Sequence, residues 1–460
     1  MTLGARMRGV VAIALLSAAV PRAMQGQSEW TPRQCLADTL RAPVAATTVD
    51  TVAPGLVYRC LVDPRGPWVV HVVEVDLHAQ GLIVDAARAL GAFFGRERVS
   101  AMAARLAAAG RAPLVGINAD FFDLRSGEVE NNHVIGGAWV KGALSTDSPH
   151  DGFDNAHTQF AIDARGGPRI GRFELDGTVV SASAARRLVG INYRPAGRAG
   201  LVVYTPWYGV RTPQDTSARI GGEGPRDPDA TPAGMRVDTV RPPSTAATRS
   251  DSAHRLAAQA TRHAAEIVLT RLGQRGDTIL YRVTSRVPTM GGGTAIPAHG
   301  AVLSATGDEA LAFVREVAAR RSTVKLVAGI SGFRRTPRAI VGGWPRVVDA
   351  GRNVGVVADS VEGTFPRFSE ARHPRSALGI SRDGRTLYMV VVDGRRPWSV
   401  GMSLGELGAE LITLGAWDAM NLDGGGSSAL WIRGHVVNYP SDPGGERAVG
   451  NALFVSPATR

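Results

Sequence analysis

Long hydrophobic runs are almost absent from this sequence of 460 residues. The apolar run from Val10 to Val20 is shorter than the roughly 20 residues that a membrane span needs, so no stable span is expected. Its flank with Arg6 and Arg8, and the small residues at its end, are instead typical of a secretion signal. We therefore predict a signal peptide over residues 1–27 and a mature chain that is secreted or periplasmic.

Cysteine is scarce as well, since the chain has only Cys35 and Cys60. Neither residue has neighbours typical of a catalytic thiol or of a zinc site. In an exported protein two cysteines favour one disulfide, and the alternative is a pair of unrelated buried thiols. We assign both to an N-terminal segment over residues 28–65.

Lysine is nearly missing, because Lys141 and Lys325 are the only two among 52 basic residues. The formal net charge is +11, but the arginines are scattered and aromatic residues make up only 6% of the chain. A nucleic-acid interface needs a basic stripe interleaved with aromatic side chains, so nucleic acid is not expected as a partner. A basic surface would still attract anionic polymers. Nothing in the sequence points to a protein partner.

Common catalytic signatures are also absent. The chain has no His-Glu-x-x-His zinc motif, and its glycine loop at 424–426 lacks the lysine of a phosphate-binding P-loop. Ser427 precedes a strand-like segment, whereas a serine-hydrolase elbow continues into a helix. His133, His373 and His435 could serve acid–base or metal chemistry, but a lone histidine is more often structural.

The rest of the sequence predicts many strands and few helices. Apolar strand-like segments recur from residue 66 onward, and Ala-rich or Leu-rich periodic segments at 99–109, 308–320 and 404–414 predict helices. Residues 211–262 are rich in Pro, Thr, Ser and Arg, which indicates an exposed or disordered insertion. The mixture predicts an α+β fold of mixed β-sheets with flanking helices.

The most informative stretch is Asn421-Leu422-Asp423-Gly424-Gly425-Gly426-Ser427-Ser428. A strand before it delivers Asp423 into a glycine loop, Gly424 to Ser428, where a backbone can approach a ligand closely. The alternative is a tight turn whose aspartate bonds its own backbone. Another strand ends at Asp393, and a helix separates the two strands. Strand, helix, strand favours a parallel crossover, so Asp393 and Asp423 should emerge at the same sheet edge.

Charged residues accompany these acids at several strand ends and turns. Arginine forks bind phosphate or carboxylate at two points, although a single arginine is more often a surface or salt-bridging residue. The candidates for anion binding are Arg375, Arg395 and Arg447. Further acids that could take part in chemistry are Asp120 and Glu446, and Asp120 with Asp123 could equally bind a metal or cap a turn.

Seven short motifs are spread over the chain. They are Asn118-Ala119-Asp120-Phe121-Phe122, Gly342-Gly343-Trp344-Pro345, His373-Pro374-Arg375-Ser376, Val392-Asp393-Gly394-Arg395, Asn421 to Ser428, Asn438-Tyr439-Pro440 and Glu446-Arg447-Ala448-Val449. Taken together, these motifs resemble the phosphodiester glycosidase family. The resemblance runs from about Val70 to Val455, interrupted by the insertion, and implies a single catalytic domain over residues 66–457 that acts on a carbohydrate phosphodiester.

The resemblance also implies roles for individual residues. The catalytic candidates are Asp423 and Asp393, followed by Glu446 and Asp120. The expected substrate and phosphate ligands are Arg375, Arg395, Arg447, Gly424, Gly425, Gly426, Ser427, Ser428, Asn118 and Asn438. No cofactor is certain, and a divalent cation beside the acidic loops stays open. Two other functions remain as alternatives: a non-catalytic binder of anionic envelope polysaccharide, and a metal-dependent phosphodiesterase.

Overall fold

In this computed structural model, strands hold three times as many residues as helices, with 45% strand and 15% helix. The structure describes residues 45–144, 157–195, 198–214 and 263–458. These residues all belong to one compact unit, Pro32–Arg460. The fold is therefore mostly β, and helices are fewer than the α+β prediction anticipated.

The described residues form strands that are numbered in chain order. They are β1 (Ala46–Ala53), β2 (Leu56–Asp63), β3 (Trp68–Asp76), β4 (Leu82–Arg88), β5 (Val115–Asn118), β6 (His133–Ile135), β7 (Ala138–Ala143), β8 (Thr158–Ile162), β9 (Pro168–Arg172), β10 (Leu175–Val180), β11 (Ala185–Ile191), β12 (Gly200–Tyr204) and β13 (Ala265–Arg275). They continue with β14 (Thr278–Val283), β15 (Thr289–Met290), β16 (Gly300–Thr306), β17 (Thr323–Ile330), β18 (Ala339–Gly342), β19 (Arg346–Asp349), β20 (Arg352–Asn353), β21 (Arg375–Ile380), β22 (Thr386–Val392), β23 (Asp418–Asn421), β24 (Leu430–Ile432), β25 (His435–Val436) and β26 (Asn451–Pro457).

An eight-stranded sheet with the order β1-β2-β3-β22-β21-β23-β19-β20 carries the C-terminal crossover. Strand β21 pairs antiparallel with both β22 and β23, so these two strands run in the same direction. The connecting helix Leu404–Leu414 buries Leu404, Leu407 and Leu411 against the sheet. The parallel crossover is confirmed, and the carboxyl ends of β22 and β23 meet the start of β21 at one edge.

A closed barrel of seven strands is the largest element that the sequence did not predict. It runs β10-β17-β14-β13-β16-β12-β11 and closes through the β10–β11 pairing. Helix Asp308–Arg320 packs Phe313, Val314 and Val317 into its apolar cluster. The barrel lies within the same sheet as β7, β6, β18, β8 and β9.

A five-stranded sheet, β25-β24-β5-β26-β4, brings β5 next to the C-terminal strands. The helix Val99–Ala108 packs on it through Val99, Met102 and Leu106. The other described helices are the short Ala358–Glu362 and Pro366–Ser369. This sheet matters for the site because it places Asn118, the last residue of β5, against the loop that follows β23.

Three predictions fall wholly or partly outside the described residues. These are the signal peptide 1–27, residues 28–44 of the N-terminal segment with Cys35, and residues 215–262 of the insertion. Cys60 is disulfide-bonded. At the start of the predicted insertion, Thr212 is buried and Arg211 pairs with Ala295, so residues 211–214 belong to the folded body. No helix in the described part of the chain is long and apolar enough to cross a membrane.

Candidate active site

The glycine loop is held by hydrogen bonds from both neighbouring sheets. Asn118 donates from Nδ2 to the Asp423 carbonyl at 2.6 Å, and the Asp423 amide donates to the Ala119 carbonyl at 2.9 Å. The Gly425 amide donates to the Pro374 carbonyl at 2.9 Å. Residues Gly425–Ser427 form one 3-10 turn. The loop is therefore a fixed structure held between β5 and β21.

Asp423 is a predicted catalytic acid that the structure leaves partly accessible. Removal from water raises its pKa to about 7, and the negative charge of Glu130 acts in the same direction. The Ser427 hydroxyl and the positive charge of Arg447 partly oppose this rise. A carboxyl group with a pKa near neutrality can exchange a proton at physiological pH, as acid–base catalysis requires.

Arg447 lies directly over the glycine loop. Its Nε and Nη2 donate to the two carboxylate oxygens of Asp442 at 2.7 and 2.9 Å, and its Nη1 lies 3.5 Å from the Ser427 hydroxyl. A Cβ at Gly426 would stand 2.0 Å from Asp442 Oδ1 and 2.2 Å from Arg447 Nη2. A side chain at 426 would thus displace the ion pair from its present position.

Arg395 approaches the same loop from β22. It is exposed, has a left-handed backbone with φ of 61°, and lies 3.1 Å through Nη2 from a Cβ built at Gly425. Its Nη1 donates to the Ser441 hydroxyl at 3.3 Å. Partial burial lowers the pKa of Arg395, while Asp442 opposes and Arg447 reinforces that effect. Two of the three predicted arginines therefore converge on the glycine loop.

Asp120 lies deeper, at the end of β5. Its carboxylate accepts hydrogen bonds from the Asn131 amide at 2.9 Å and the Asn131 side chain at 2.7 Å. Burial raises the pKa of Asp120 to about 7, although these hydrogen bonds act to lower it, and the charge of Glu130 adds to the rise. Asp120 is only 1% exposed, which suits a positioning group better than one that touches substrate.

Glu130 is an acid that the sequence did not single out. It is half-buried, its amide donates to the Phe121 carbonyl at 2.9 Å, and its charge raises the pKa of both Asp120 and Asp423. No motif marks it, because Glu128-Val129-Glu130 is an ordinary acidic segment of the sequence. The pairing of this segment with Phe121 and Phe122 brings Glu130 to the site.

Asp393 does not fit its predicted catalytic role. It reaches the expected sheet edge, but its side chain is 0% exposed, and its Oδ2 lies 3.1 Å from His71 Nε2. The other oxygen accepts from the Tyr439 amide at 2.9 Å. Tyr58 extends this chain of buried groups through a 2.9 Å contact with His71 Nδ1. Asp393 therefore links the sheet interior to the segment that carries Asn438.

Arg375 does not fit the predicted phosphate clamp either. Its guanidinium is buried and donates to the main-chain carbonyls of Met402, Phe368 and Ala371 at 2.9, 2.6 and 3.2 Å. Burial lowers the pKa of Arg375 to about 9. The side chain fixes the segment before β21 and has no open face toward a ligand. Two of these carbonyls lie four and seven residues before Arg375 and the third lies 27 residues after it, and the motif does not show that the side chain turns toward them.

Glu446 caps a helix. Its carboxylate accepts from the Ser100 amide at 2.9 Å and from the Ser100 hydroxyl at 2.5 Å, in the first turn of the helix Val99–Ala108. A carboxylate is favourable at a helix N-terminus. This arrangement anchors the loop next to Arg447 and engages both carboxylate oxygens of Glu446 with Ser100.

The remaining residues predicted to bind substrate instead hold the glycine loop in place through hydrogen bonds. Asn438 accepts from the Leu430 amide at 2.8 Å and donates to the Ser428 carbonyl at 3.1 Å. The Ser428 hydroxyl is buried and without a hydrogen-bond partner in the described structure. Asn118, which also accepts from the Ser376 hydroxyl at 2.7 Å, is fully buried. These residues position the glycine loop.

The histidines and metal candidates do not gather at the site. His133 is fully buried, and burial lowers its pKa to about 3. His373 contacts the Arg367 carbonyl at 3.2 Å, and partial burial lowers its pKa. Asp123 accepts from the Arg125 and Ser126 amides, which is a turn role. Within the residues that the structure describes, no three His, Cys, Asp or Glu side chains form a metal-binding group.

The fold and site define a β-rich protein with a partly accessible acid and two arginines around a glycine turn. Residues 280–456 match the family model described as phosphodiester glycosidase. This segment holds β21, β22, β23, the glycine loop and Arg447. The resemblance to the phosphodiester glycosidase family is thereby confirmed.

Curated relatives match over a short stretch. The SPbeta prophage-derived uncharacterized protein YomE of Bacillus subtilis is 41% identical over 85 residues, which is 18% of this chain and 13% of that protein. The N-acetylglucosamine-1-phosphodiester alpha-N-acetylglucosaminidase of Bos taurus is 38% identical over 80 residues, 17% of this chain and 15% of that protein. The chain thus spans less than a sixth of the length of these relatives.

Solved structures share the fold at low identity. A hypothetical protein from Synechocystis superposes with a TM-score of 0.61 at 20% identity, covering 90% of this chain and 64% of that one. A protein from Burkholderia pseudomallei that is named as exported gives a TM-score of 0.55 at 22% identity, covering 88% and 76%. These similarities support the architecture alone.

Proposed function

We propose that this protein is an exported glycosidase that hydrolyses a sugar-1-phosphodiester at the anomeric carbon. The observation that carries the proposal is the position of Asp423, a carboxyl group with a pKa near 7, beside the glycine loop and Arg447. The family match points to a glycosidase-type hydrolase. An N-acetylglucosamine phosphodiester on cell-envelope or extracellular polysaccharide is the substrate class that we propose.

The phosphate side of the site is formed by Arg447, Arg395 and the glycine loop. Asp442 occupies the Nε edge of Arg447, so the Nη1 side, directed at Ser427, remains for a substrate oxygen. Arg395 is exposed and can add a second guanidinium. Phosphate carries its charge on several oxygens, and arginine forks are suited to bind them. The Gly425 and Ser427 amides already donate to the Pro374 and Gly424 carbonyls, so the two arginines provide the main contacts.

The sugar side is formed by Asp423 and Glu130. Water adds to the anomeric carbon while the bond to the phosphodiester oxygen breaks, giving a free sugar and a phosphate monoester. The monoester is a good leaving group, so strong acid assistance matters less than stabilising positive charge on the sugar. We propose Asp423 as the reacting carboxylate and Glu130 as its partner, with Asp120 and Asn118 holding the strand end.

Product analysis tests this function. The purified protein is incubated with a panel of sugar-1-phosphodiesters, with and without chelator, and the products are identified by mass. Free sugar plus phosphate monoester, lost in Asp423→Asn and retained in the control Asp176→Asn at an exposed position of β10, supports the proposal. Sugar-1-phosphate as product would establish P–O cleavage instead, and saturable binding of anionic polysaccharide without turnover would establish a binding protein.

A further inference from the structure

Phe121 follows Asp120 and stands half-buried beside the candidate active site. Its ring lies edge-to-face with Trp344, at a centroid distance of 6.1 Å, and with Phe368, at 6.2 Å. Trp344 and Phe368 are stacked on each other at 5.0 Å. We call these three residues the aromatic platform.

The aromatic platform is tied to the same strand end as the proposed reacting acid. The Trp344 amide donates to the Asn421 carbonyl at 2.9 Å, two residues before Asp423. The indole Nε1 of Trp344 donates to the Glu362 carbonyl at 3.0 Å, and this tryptophan is only 3% exposed. The Glu130 amide donates to the carbonyl of Phe121 itself. The platform is therefore a rigid surface, and its main chain is hydrogen-bonded to the segments that carry Asp423 and Glu130.

The individual rings have different surroundings. Phe368 has Trp344 stacked on it and the Arg375 guanidinium over its ring at 5.0 Å, so its faces are occupied. Phe121 meets both neighbours edge-to-face, and no parallel ring is stacked on it among the described residues. Phe365, which contacts Phe368 at 5.9 Å, is 41% exposed. Apolar rings left half-exposed beside an acid site are suited to hold a ligand.

The chemistry of a phenyl ring selects the kind of ligand. Its face carries a negative quadrupole, so it does not attract phosphate, which belongs with Arg395 and Arg447. A pyranose presents a flat face of C–H groups that is apolar and slightly positive, and this face complements the ring. The aromatic platform would thus contact the sugar end of the substrate, and the guanidinium groups would contact its phosphate end.

We propose that Phe121, supported by Trp344 and Phe368, is the residue on which a pyranose ring stacks in this site. The identity of the ligand rests on the proposed function, since a phosphodiester glycosidase must bind a sugar next to its acid. The placement of Phe121 next to Asp120 and Glu130 is independent of that function.

Direct binding tests the role of Phe121 without requiring turnover. The full chain is titrated in a calorimeter with the methyl α-glycoside of N-acetylglucosamine and, separately, with inorganic phosphate. Phe121→Leu keeps an apolar side chain but removes the flat ring, and Phe121→Tyr keeps the ring. Phe333→Leu is the matched control, because Phe333 is half-buried and pairs with Phe173 at 5.0 Å on the barrel.

We expect Phe121→Leu to bind the glycoside at least about tenfold more weakly, a factor that corresponds to roughly 1.4 kcal/mol. Its phosphate binding should be unchanged, and Phe121→Tyr and Phe333→Leu should match the wild type with both probes. Wild-type affinity for the glycoside in Phe121→Leu, or no glycoside binding by the wild type, would overturn the proposal. Glycoside binding through Phe121 without hydrolysis of any phosphodiester would overturn the proposed function and leave the stacking role intact.

Discussion

Arg447 and Asp442 form a two-point ion pair, with Nε to Oδ2 at 2.7 Å and Nη2 to Oδ1 at 2.9 Å, seated against Gly426. The pair orients the guanidinium so that its remaining donors face Ser427. A phosphate-binding arginine that is held in this way loses less side-chain entropy when substrate arrives. The glycine loop and the ion pair therefore work as one unit.

Gly426→Ala should disrupt this unit without a backbone conformational penalty. The new Cβ would clash with Asp442 and Arg447, so the ion pair must move. We expect KM for a sugar phosphodiester to rise about tenfold or more, measured by steady-state kinetics. Gly444→Ala is the matched control, since a Cβ there meets nothing within 4 Å. Equal kinetics in the two variants would show that the ion pair does not orient the substrate.

The three predicted arginines should separate into two kinds when each is replaced by alanine. Arg447→Ala and Arg395→Ala should raise KM for the phosphodiester far more than for an uncharged glycoside, with little change in Tm. Arg375→Ala should instead lower Tm by several degrees, because it removes three hydrogen bonds to main-chain carbonyls at roughly 1 kcal/mol or more each. A selective rise of KM with unchanged Tm in Arg375→Ala would restore the clamp predicted from sequence.

Local sequence signals predicted the crossover that forms the site edge. Ser403 and Glu406 form the expected capping box, and Gly415 ends the helix in the left-handed conformation with φ of 102°. These signals depend on residues three or four positions apart, so the sequence reveals them directly. The strand ends carrying Asp393 and Asp423 were located for the same reason.

The direction of each side chain at that edge could not be predicted. Asp393 and Asp423 both follow buried strands, yet one carboxylate meets His71 from β3 and the other faces the glycine loop. Glu446 pairs with Ser100, 346 residues away in sequence. Contacts between distant segments decide whether a charged side chain forms a structural hydrogen bond or is free to bind substrate. The barrel was not predicted because its closing pair, β10 and β11, is a hairpin whose sequence does not differ from that of a hairpin in an open sheet.

The buried His71–Asp393 contact should be worth measurable stability. His71→Leu removes the hydrogen-bonding groups facing Tyr58 and Asp393, and leaving buried polar groups unpaired costs about 1–3 kcal/mol. His71→Gln offers an amide donor in a similar position and should recover part of the loss. Thermal unfolding measures both. A fully stable His71→Leu variant would show that the contact contributes nothing to the fold.

Asp423 links activity and stability through its pKa of about 7. The folded-state pKa lies above the ordinary value of 3.8, so the folded protein binds the proton more tightly than the unfolded chain does. The carboxyl group therefore destabilises the fold increasingly as pH rises from about 4 to 7, and the full penalty is present above 7. If Asp423 reacts as the carboxylate, turnover should rise over the upper part of the same range.

Asp423→Asn should remove both effects together. We expect turnover to fall by at least about a hundredfold, the order of magnitude associated with a positioned catalytic group. Its Tm at pH 8 should exceed that of the wild type by roughly 2 °C or more, and the difference should shrink toward pH 5 because the wild-type carboxyl is then protonated in the folded state. The control Asp176→Asn should leave both quantities unchanged. A variant that is inactive yet less stable than the wild type at pH 8 would mean that the Asp423 carboxylate stabilises the glycine loop. The loss of activity could then be explained by a disturbed loop, and it would no longer support a chemical role for Asp423.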